Sequence, residues 1–139
     1  MAQGFRFVMN DYGAPERRVS SHFFANNEAG SAGQAVKLVD GRWTGASGTD
    51  AIGGFLTHNV SAGTDQVCEV ILAREGDWFD VPYSGEPGTG FGPGANEVGI
   101  SADGLSADAA TVEGGALSVL EVNTEKQTCR VKVKNRQFG

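Results

Sequence analysis

The chain has 139 residues, of which 21 are glycine and 4 are proline, and its formal net charge is −6. A chain of this length is expected to form one domain with a sizeable core. The acidic balance argues against a nucleic-acid partner, because a negative body repels phosphates. No apolar run approaches the ~20 residues of a membrane-spanning helix, so no membrane partner is expected.

Residues 1–32 combine aromatic side chains with polar and turn residues. Two interpretations are open: an extra edge strand with a loop, or an extended N-terminal arm that docks on another subunit, since exposed apolar side chains need a partner surface. The arm interpretation assigns binding to Phe5, Arg6, Phe7, Phe23 and Phe24. The segment lacks the apolar core of a signal peptide, which predicts synthesis in the cytoplasm.

The remaining residues, 33–139, are predicted to form a β-domain that contains an internal repeat. The segments Gly53–Val70 and Gly114–Val131 align without a gap, and both begin with Gly-Gly. Upstream, each copy has an apolar strand followed by Asp-Gly, which is a strong signal for a tight turn. Each copy therefore predicts four short strands. The copies span about 33–72 and 94–133.

The repeat also aligns the two cysteines of the chain, Cys68 and Cys129. The end of the second copy, CRVKVK, alternates apolar and charged side chains, which predicts a half-buried strand with solvated charges. The first copy, CEVIL, places Cys68, Val70 and Leu72 on the equivalent face. Both cysteines are therefore predicted to face inward as small apolar residues. A disulfide between them is an alternative that a cytoplasmic origin disfavours.

The linking segment, residues 73–93, predicts one more strand and a glycine-rich loop. The strand is aromatic-rich and contains Trp78, Phe79, Val81 and Tyr83. Together, the copies and this strand predict an all-β fold, a small antiparallel β-sandwich or barrel. Pseudo-twofold packing of the copies would close one core between them, because neither copy alone buries enough apolar area.

Patterns for catalysis and metal binding are weak. The loop GEPGTGFGPG lacks the Lys-Ser/Thr pair of a nucleotide-binding loop. Glu75, Asp77 and Asp80 could supply a glycosidase carboxylate pair, but nothing in the sequence sets their separation. His22 and His58 stand apart from any nucleophile motif, and with the two cysteines they have no metal-ligand spacing. The chain is therefore predicted to be a non-enzymatic protein without a cofactor or metal.

A series of short spacers recurs between residues 33 and 133. The spacers are Gly53-Gly54, Asn59 with Ala62-Gly63, Ser84-Gly85, Asn96-Glu97-Val98 and Asp103-Gly104. In this order, the chain resembles the small capsid decoration (cement) proteins of tailed bacteriophages. These spacers are turn and strand residues rather than chemical groups, so the resemblance concerns the scaffold.

The resemblance implies a compact β-domain without catalysis on the outer surface of a virion. Such proteins are commonly homotrimers and clamp neighbouring subunits of the major capsid protein after the head expands. The implied partners are therefore the major capsid protein and further copies of this chain. The arm residues would contact the capsid or a neighbouring protomer. Deletion of residues 1–32 is then expected to abolish binding and to leave the β-domain folded.

A module of another class, for virion-surface adhesion or glycan binding, is the alternative. Exposed aromatic rings on tandem β-units can stack against sugars. The candidate rings in this chain are Trp43 and Trp78.

Overall fold

The computed structural model of the protein describes residues 4–138. Within this range the regular elements are β-strands, and there is no helix, which confirms the predicted all-β class. The strands are β1 (Arg6–Asn10), β2 (Arg18–Val19), β3 (Ala35–Val39), β4 (Arg42–Gly45), β5 (Gly54–Leu56), β6 (Val70–Leu72), β7 (Asp77–Ser84), β8 (Gly99–Ile100), β9 (Ala107–Asp108), β10 (Leu117–Asn123) and β11 (Thr128–Val133).

The strands form two sheets that are packed as a small β-sandwich and not as a closed barrel. Sheet A has the order β10-β11-β7-β9-β8, with β1 also paired to β7. Sheet B has the order β2-β6-β5-β3-β4. Strands β7 and β9 are parallel, and the other pairs are antiparallel. The first copy of the repeat thus holds β3 to β6, and the second holds β8 to β11.

The main core lies between the two sheets, and aromatic rings fill its centre. Sheet A contributes alternate residues such as Phe79 and Val131, and sheet B contributes Phe55. The ring centroids of Phe5 and Phe55 are 4.4 Å apart, and those of Phe55 and Phe79 are 4.5 Å apart. Full burial of each such side chain stabilises the fold by roughly 1.5–3 kcal/mol.

A second, smaller core covers the other face of sheet B. Its buried side chains are Phe24, Val36, Trp43, Leu56, Val60, Cys68 and Val70. Residues from the loop before β3 close this core: the Trp43 amide donates to the Phe23 carbonyl over 3.0 Å, and the Phe24 amide donates to the Gln66 carbonyl over 2.9 Å. Sheet B is therefore buried on both faces. Its strands β5 and β6 read as continuous apolar runs for that reason.

The two copies share a connection pattern, but their aligned residues face different cores. In each copy, an Asp-Gly turn joins two paired strands, and the next strand returns beside the first of them. In the first copy, the aligned apolar residues lie in the second core: Leu56, Cys68 and Val70. In the second copy, they lie in the main core: Leu117, Cys129 and Val131. The main core does close between the two copies as predicted, since Phe55 of the first copy and Val131 of the second both belong to it. The predicted pseudo-twofold packing is wrong, because aligned residues do not face the same core.

The N-terminal segment differs from the predicted extended arm, because residues 4–32 belong to both sheets. Strand β1 pairs with β7, and β2 pairs with β6. The ring of Phe5 enters the main core and that of Phe24 enters the second core. These rings fill space that the repeat alone leaves open, so the segment folds as an edge strand with a covering loop. Residues 1–3 of the predicted arm lie outside the described residues.

Candidate functional site

Two of the five predicted binding residues are interior. Phe5 is 6% exposed, and Phe24 is 0% exposed. The backbone amide of Phe5 also donates to the Gly33 carbonyl over 2.8 Å, which ties the start of β1 to the edge of sheet B. Neither ring can reach another molecule while the sandwich is closed.

The other three predicted binding residues differ in what they can contact. Phe7 is half-buried and packs edge-on against Phe79, with centroids 5.8 Å apart. The side chain of Arg6 is 69% exposed and lies 3.6 Å from the Asp80 carboxylate. Phe23 is 43% exposed, with the guanidinium of Arg42 5.6 Å from its ring centroid. Arg6 lies on sheet A and Phe23 flanks sheet B, so the structure does not bring the five together.

A cleft of about 390 Å³ lies between the edges of the sheets beside β1. It forms where β1 has left β7 and β9 has not yet begun, next to Pro82, which has no amide proton to pair. The cleft contains the apolar side chains of Phe7 and Ile71 and the charged groups of Arg6 and Arg18.

Each arginine of the cleft has carboxylate partners. Arg18 donates to Glu16 over 2.8 Å and to Glu69 over 2.9 Å, and these bonds raise the pKa of the guanidinium. Arg6 lies beside Asp80. The cleft is thus an apolar space with a neutralised rim, and these ion pairs hold the two sheet edges in place.

The three carboxylates considered for glycosidase chemistry do not form a catalytic pair. Asp77 is 0% exposed, and its carboxylate accepts hydrogen bonds from Asn10 over 2.8 Å and from the Arg74 side chain over 3.0 Å. Asp80 accepts two bonds from Arg130, over 2.9 and 3.2 Å. Glu75 is exposed on the preceding turn. Asp77 and Asp80 are therefore structural anchors for β7.

Both tryptophans considered for sugar stacking are engaged by other parts of the fold. Trp43 is 1% exposed in the second core. The Nζ atom of Lys132 lies 4.5 Å from the ring centroid of Trp78. The Trp78 Nε1 atom and Lys132 Nζ both donate to Asp11, over 2.7 and 2.6 Å. These bonds lower the pKa of the Asp11 carboxyl, first through Lys132 and then through Trp78.

The histidines and cysteines are also held by the fold. His58 Nε2 accepts the Glu69 amide over 3.2 Å, so the ring proton is on Nδ1, which lies 3.0 Å from the Asn59 carbonyl. Cys68 and Cys129 are free and buried in different cores. Burial raises the pKa of both thiols, and with a contribution from Asp80 it raises that of Cys129 to about 12.

Residues 4–138 contain neither a candidate metal cluster nor a candidate membrane-spanning helix. No three side chains among histidine, cysteine, aspartate and glutamate are grouped so that they could hold a metal ion. None of the described segments is a helix with the length and apolarity needed to cross a membrane.

Sequence reasoning missed the most exposed apolar side chains. Tyr12 is 85% exposed and Val67 is 73% exposed. Val67 is bridged to Phe23 across two antiparallel segments, so these two form an exposed apolar pair beside Arg42. We call Phe23, Val67 and Arg42 the Phe23 patch. A usable signal existed for Tyr12, because Asn-Asp-Tyr-Gly is a turn sequence that places its side chains in solvent.

A scan against protein-family models and a search of curated proteins both find no match to this chain.

Proposed function

We propose that the chain is a non-enzymatic structural protein of a tailed-bacteriophage virion. In this role it binds the outer surface of the capsid and bridges subunits of the major capsid protein. One observation carries the proposal: two glycines of the spacer series that resembles decoration proteins, Gly54 and Gly104, occupy positions where the backbone accepts little else. A Cβ atom at Gly54 would overlap the carbonyl oxygen of Ile71. Gly104 has a φ of +71°, and a Cβ there would lie 3.0 Å from the Ala46 carbonyl oxygen.

Such spacers specify how strands approach and turn, so a shared series of them supports a shared scaffold. The proposal is further supported by the buried and half-buried charged side chains of sheet A, which bond within the fold. Asp77, Asp80 and Arg130 bond to one another or to neighbouring strands, as suits a load-bearing domain. The Phe23 patch supplies two exposed apolar side chains beside a half-buried arginine, and protein interfaces are enriched in such residue types.

The stabilising effect follows from linkage. A protein that binds the assembled shell and not its separated subunits lowers the free energy of the shell by an amount that grows with its concentration. Contacts to two subunits at once add avidity, because the second contact forms at a high effective concentration. A rigid body with two cores is suited to this role, since it loses little conformational freedom on binding.

The test is cosedimentation of the purified chain with empty heads of the phage that encodes it, before and after expansion. Saturable binding to expanded heads is expected, together with a higher temperature of head disruption. Absence of binding to either form would contradict the proposal. Deletion of residues 1–32 is unsuitable as a variant, because it removes Phe5, Phe24, β1 and β2 from the sandwich.

Point variants locate the contact instead. Phe23→Ser and Val67→Ser should weaken binding about tenfold each if the Phe23 patch lies at the centre of the interface. Leu120→Ser is the matched control, because Leu120 is 46% exposed on β10 of sheet A, whereas the patch flanks sheet B. Circular dichroism verifies that all three variants stay folded. Equal binding by all three variants would show that the capsid contacts a surface other than the Phe23 patch.

A further inference from the structure

The segment that follows β11 crosses from sheet A to sheet B. We call residues 135–138 the strap. The Ile52 amide donates to the Asn135 carbonyl over 3.1 Å, and the Gln137 amide donates to the Ile52 carbonyl over 2.9 Å. These bonds place the strap parallel to residues 51–53, with Arg136 opposite Ile52. The strap thus forms a single β-bridge to the segment that leads into β5 of sheet B, whereas β11 belongs to sheet A.

The side chain of Gln137 completes the ladder of sheet B at Leu38. Strand β5 pairs with β3 only at Ala35 and Val36, so the backbone of Leu38 has no strand partner on that side. Gln137 Oε1 accepts the Leu38 amide over 2.7 Å, and Gln137 Nε2 donates to the Leu38 carbonyl over 2.6 Å. One side-chain amide therefore replaces a strand residue.

The absence of a side chain at Gly53 leaves the space that the Gln137 side chain occupies. A Cβ atom at Gly53 would lie 2.6 Å from Gln137 Oε1 and 2.8 Å from the Trp43 ring, so a larger residue would close the site. The next residue, Phe138, packs edge-on against Trp43, with centroids 6.2 Å apart. We call the site formed by Leu38, Trp43, Ile52 and Gly53 the Gly53 groove.

The docked strap lies at the surface. Asn135 and Gln137 are exposed, and Phe138 is 42% exposed. Arg136 Nε is buried with no hydrogen-bond partner among the described residues, a condition that opposes docking because water would satisfy that donor. Undocking breaks the bonds of the strap to Ile52 and Leu38 but leaves the strands of both sheets paired.

We propose that the Gly53 groove is an exchangeable docking site and that its second occupant is the strap of another copy of this chain. The groove requires a side-chain amide followed by an aromatic residue, and Gln137-Phe138 is the one place in the sequence where glutamine precedes an aromatic residue. A second copy offers the same atoms in the same order, so exchange needs no new contact.

The charge of the strap also suits a second copy as the occupant. Lys134 and Arg136 carry two positive charges, whereas the chain as a whole has a net charge of −6. A strap that has undocked is therefore attracted to the acidic body of its neighbour, and the attraction is screened by salt. Exchange links copies wherever they are crowded, and this inference does not depend on capsid binding.

The test uses the full chain with a photoreactive benzoylphenylalanine in place of Phe138, mixed with an unmodified chain labelled with nitrogen-15. Irradiation links the strap to whatever lies against it, and mass spectrometry of peptides shows whether the linked groove is light or heavy. We expect light straps linked to heavy peptides that contain Trp43, in a proportion that rises with protein concentration and falls with salt. Only light-to-light products at every concentration would overturn the proposal.

Two controls separate exchange from collision. The same photoreactive residue at Val67, which is 73% exposed, measures random encounters, and mixed products at Trp43 no more frequent than these would also overturn the proposal. Gln137→Ala in the photoreactive chain should lower mixed products about tenfold, since it removes both bonds of the strap to Leu38. Asn135→Ala in the same chain is the matched control, because it keeps those bonds and both positive charges of the strap.

Discussion

The two copies of the repeat show how one chain pattern is buried in two ways. In β6 of the first copy, Val70 faces the second core and its neighbour Ile71 packs against the main core. In β11 of the second copy, Val131 faces the main core, but the residue aligned with Ile71 is Lys132, which faces solvent beside Trp78. The strand of the first copy is covered on two faces and that of the second copy on one.

The difference arises outside the repeat. Residues before β3 supply Phe24 and cover the outer face of sheet B. The outer face of sheet A instead carries ion pairs, including those of Arg130 with Asp80 and Lys132 with Asp11. The same strand plan therefore becomes a central layer or an outer layer according to what lies against it. Substitutions at aligned positions can test this comparison directly.

The largest effects are expected at the aligned leucines. Leu117→Ala should destabilise the protein by about 4 kcal/mol, because Leu117 is fully enclosed in the main core. Leu56→Ala should cost about 3 kcal/mol, since Leu56 also lines the cleft, and part of its surroundings is already open. Urea unfolding measures both. A larger loss at Leu56 would reverse the ranking of the two cores.

The aligned glycines, Gly54 and Gly115, should be the next most sensitive pair. A Cβ atom would overlap the Ile71 carbonyl at Gly54 and the Val98 backbone at Gly115. Alanine at either position is expected to cost about 3 kcal/mol, because backbone atoms cannot move aside as a side-chain tip can. Gly92→Ala is the control, since a Cβ there meets no atom within 4 Å. Thermal unfolding measures the stability of the three variants. A loss of stability at only one of the two aligned glycines would show that the copies are not equivalent at this position.

An exchange of the residues at aligned positions should have unequal effects. Ile71→Lys places an ammonium group against the main core and should cost about 2 kcal/mol, reduced by access to the cleft. Lys132→Ile should leave the melting temperature nearly unchanged, because exposed ion pairs contribute little. Calorimetry measures the loss of stability in each of the two variants. Equal losses would show that both strands are buried on two faces.

The smallest effect near neutral pH is expected from the cysteines, and it grows at alkaline pH. Folding raises the pKa of both thiols, so their stabilising contribution is complete below the unfolded thiol pKa of about 8.5 and is lost as pH rises toward the folded value. For Cys129 that value is about 12. Cys129→Ala should therefore flatten the loss of stability between pH 8.5 and 11 more than Cys68→Ala does. Urea titrations across this range would refute the assignment if both variants kept the wild-type slope.

The sequence pattern predicted the positions of the strands better than it predicted which cores cover them. The Asp-Gly turns, the Gly-Gly pairs and the alternation in β11 are local signals, and the structure has strands and turns at these places. The run Val70–Leu72 in β6 carried a further signal, because a continuous apolar run is typical of a strand buried on both faces. That signal would have indicated a second core.

The candidate contact residues were harder to predict, since aromatic composition does not distinguish a core from an interface. Phe23 and Phe24 are adjacent in the chain, yet Phe23 is 43% exposed and Phe24 is buried. The direction of each ring depends on the pairing of this segment with Gln66, Val67 and Trp43, which are distant in sequence.

The sequence by itself determined the all-β class, the repeated strand plan and the inward direction of both cysteines, because periodicity and turn chemistry act within a few residues. Only the tertiary structure decided which core each copy faces and where residues 4–32 pack. It also decided how Gln137 reaches Leu38 from the other sheet. These are long-range contacts, and the chain forms them to cover apolar area that no single copy could bury alone.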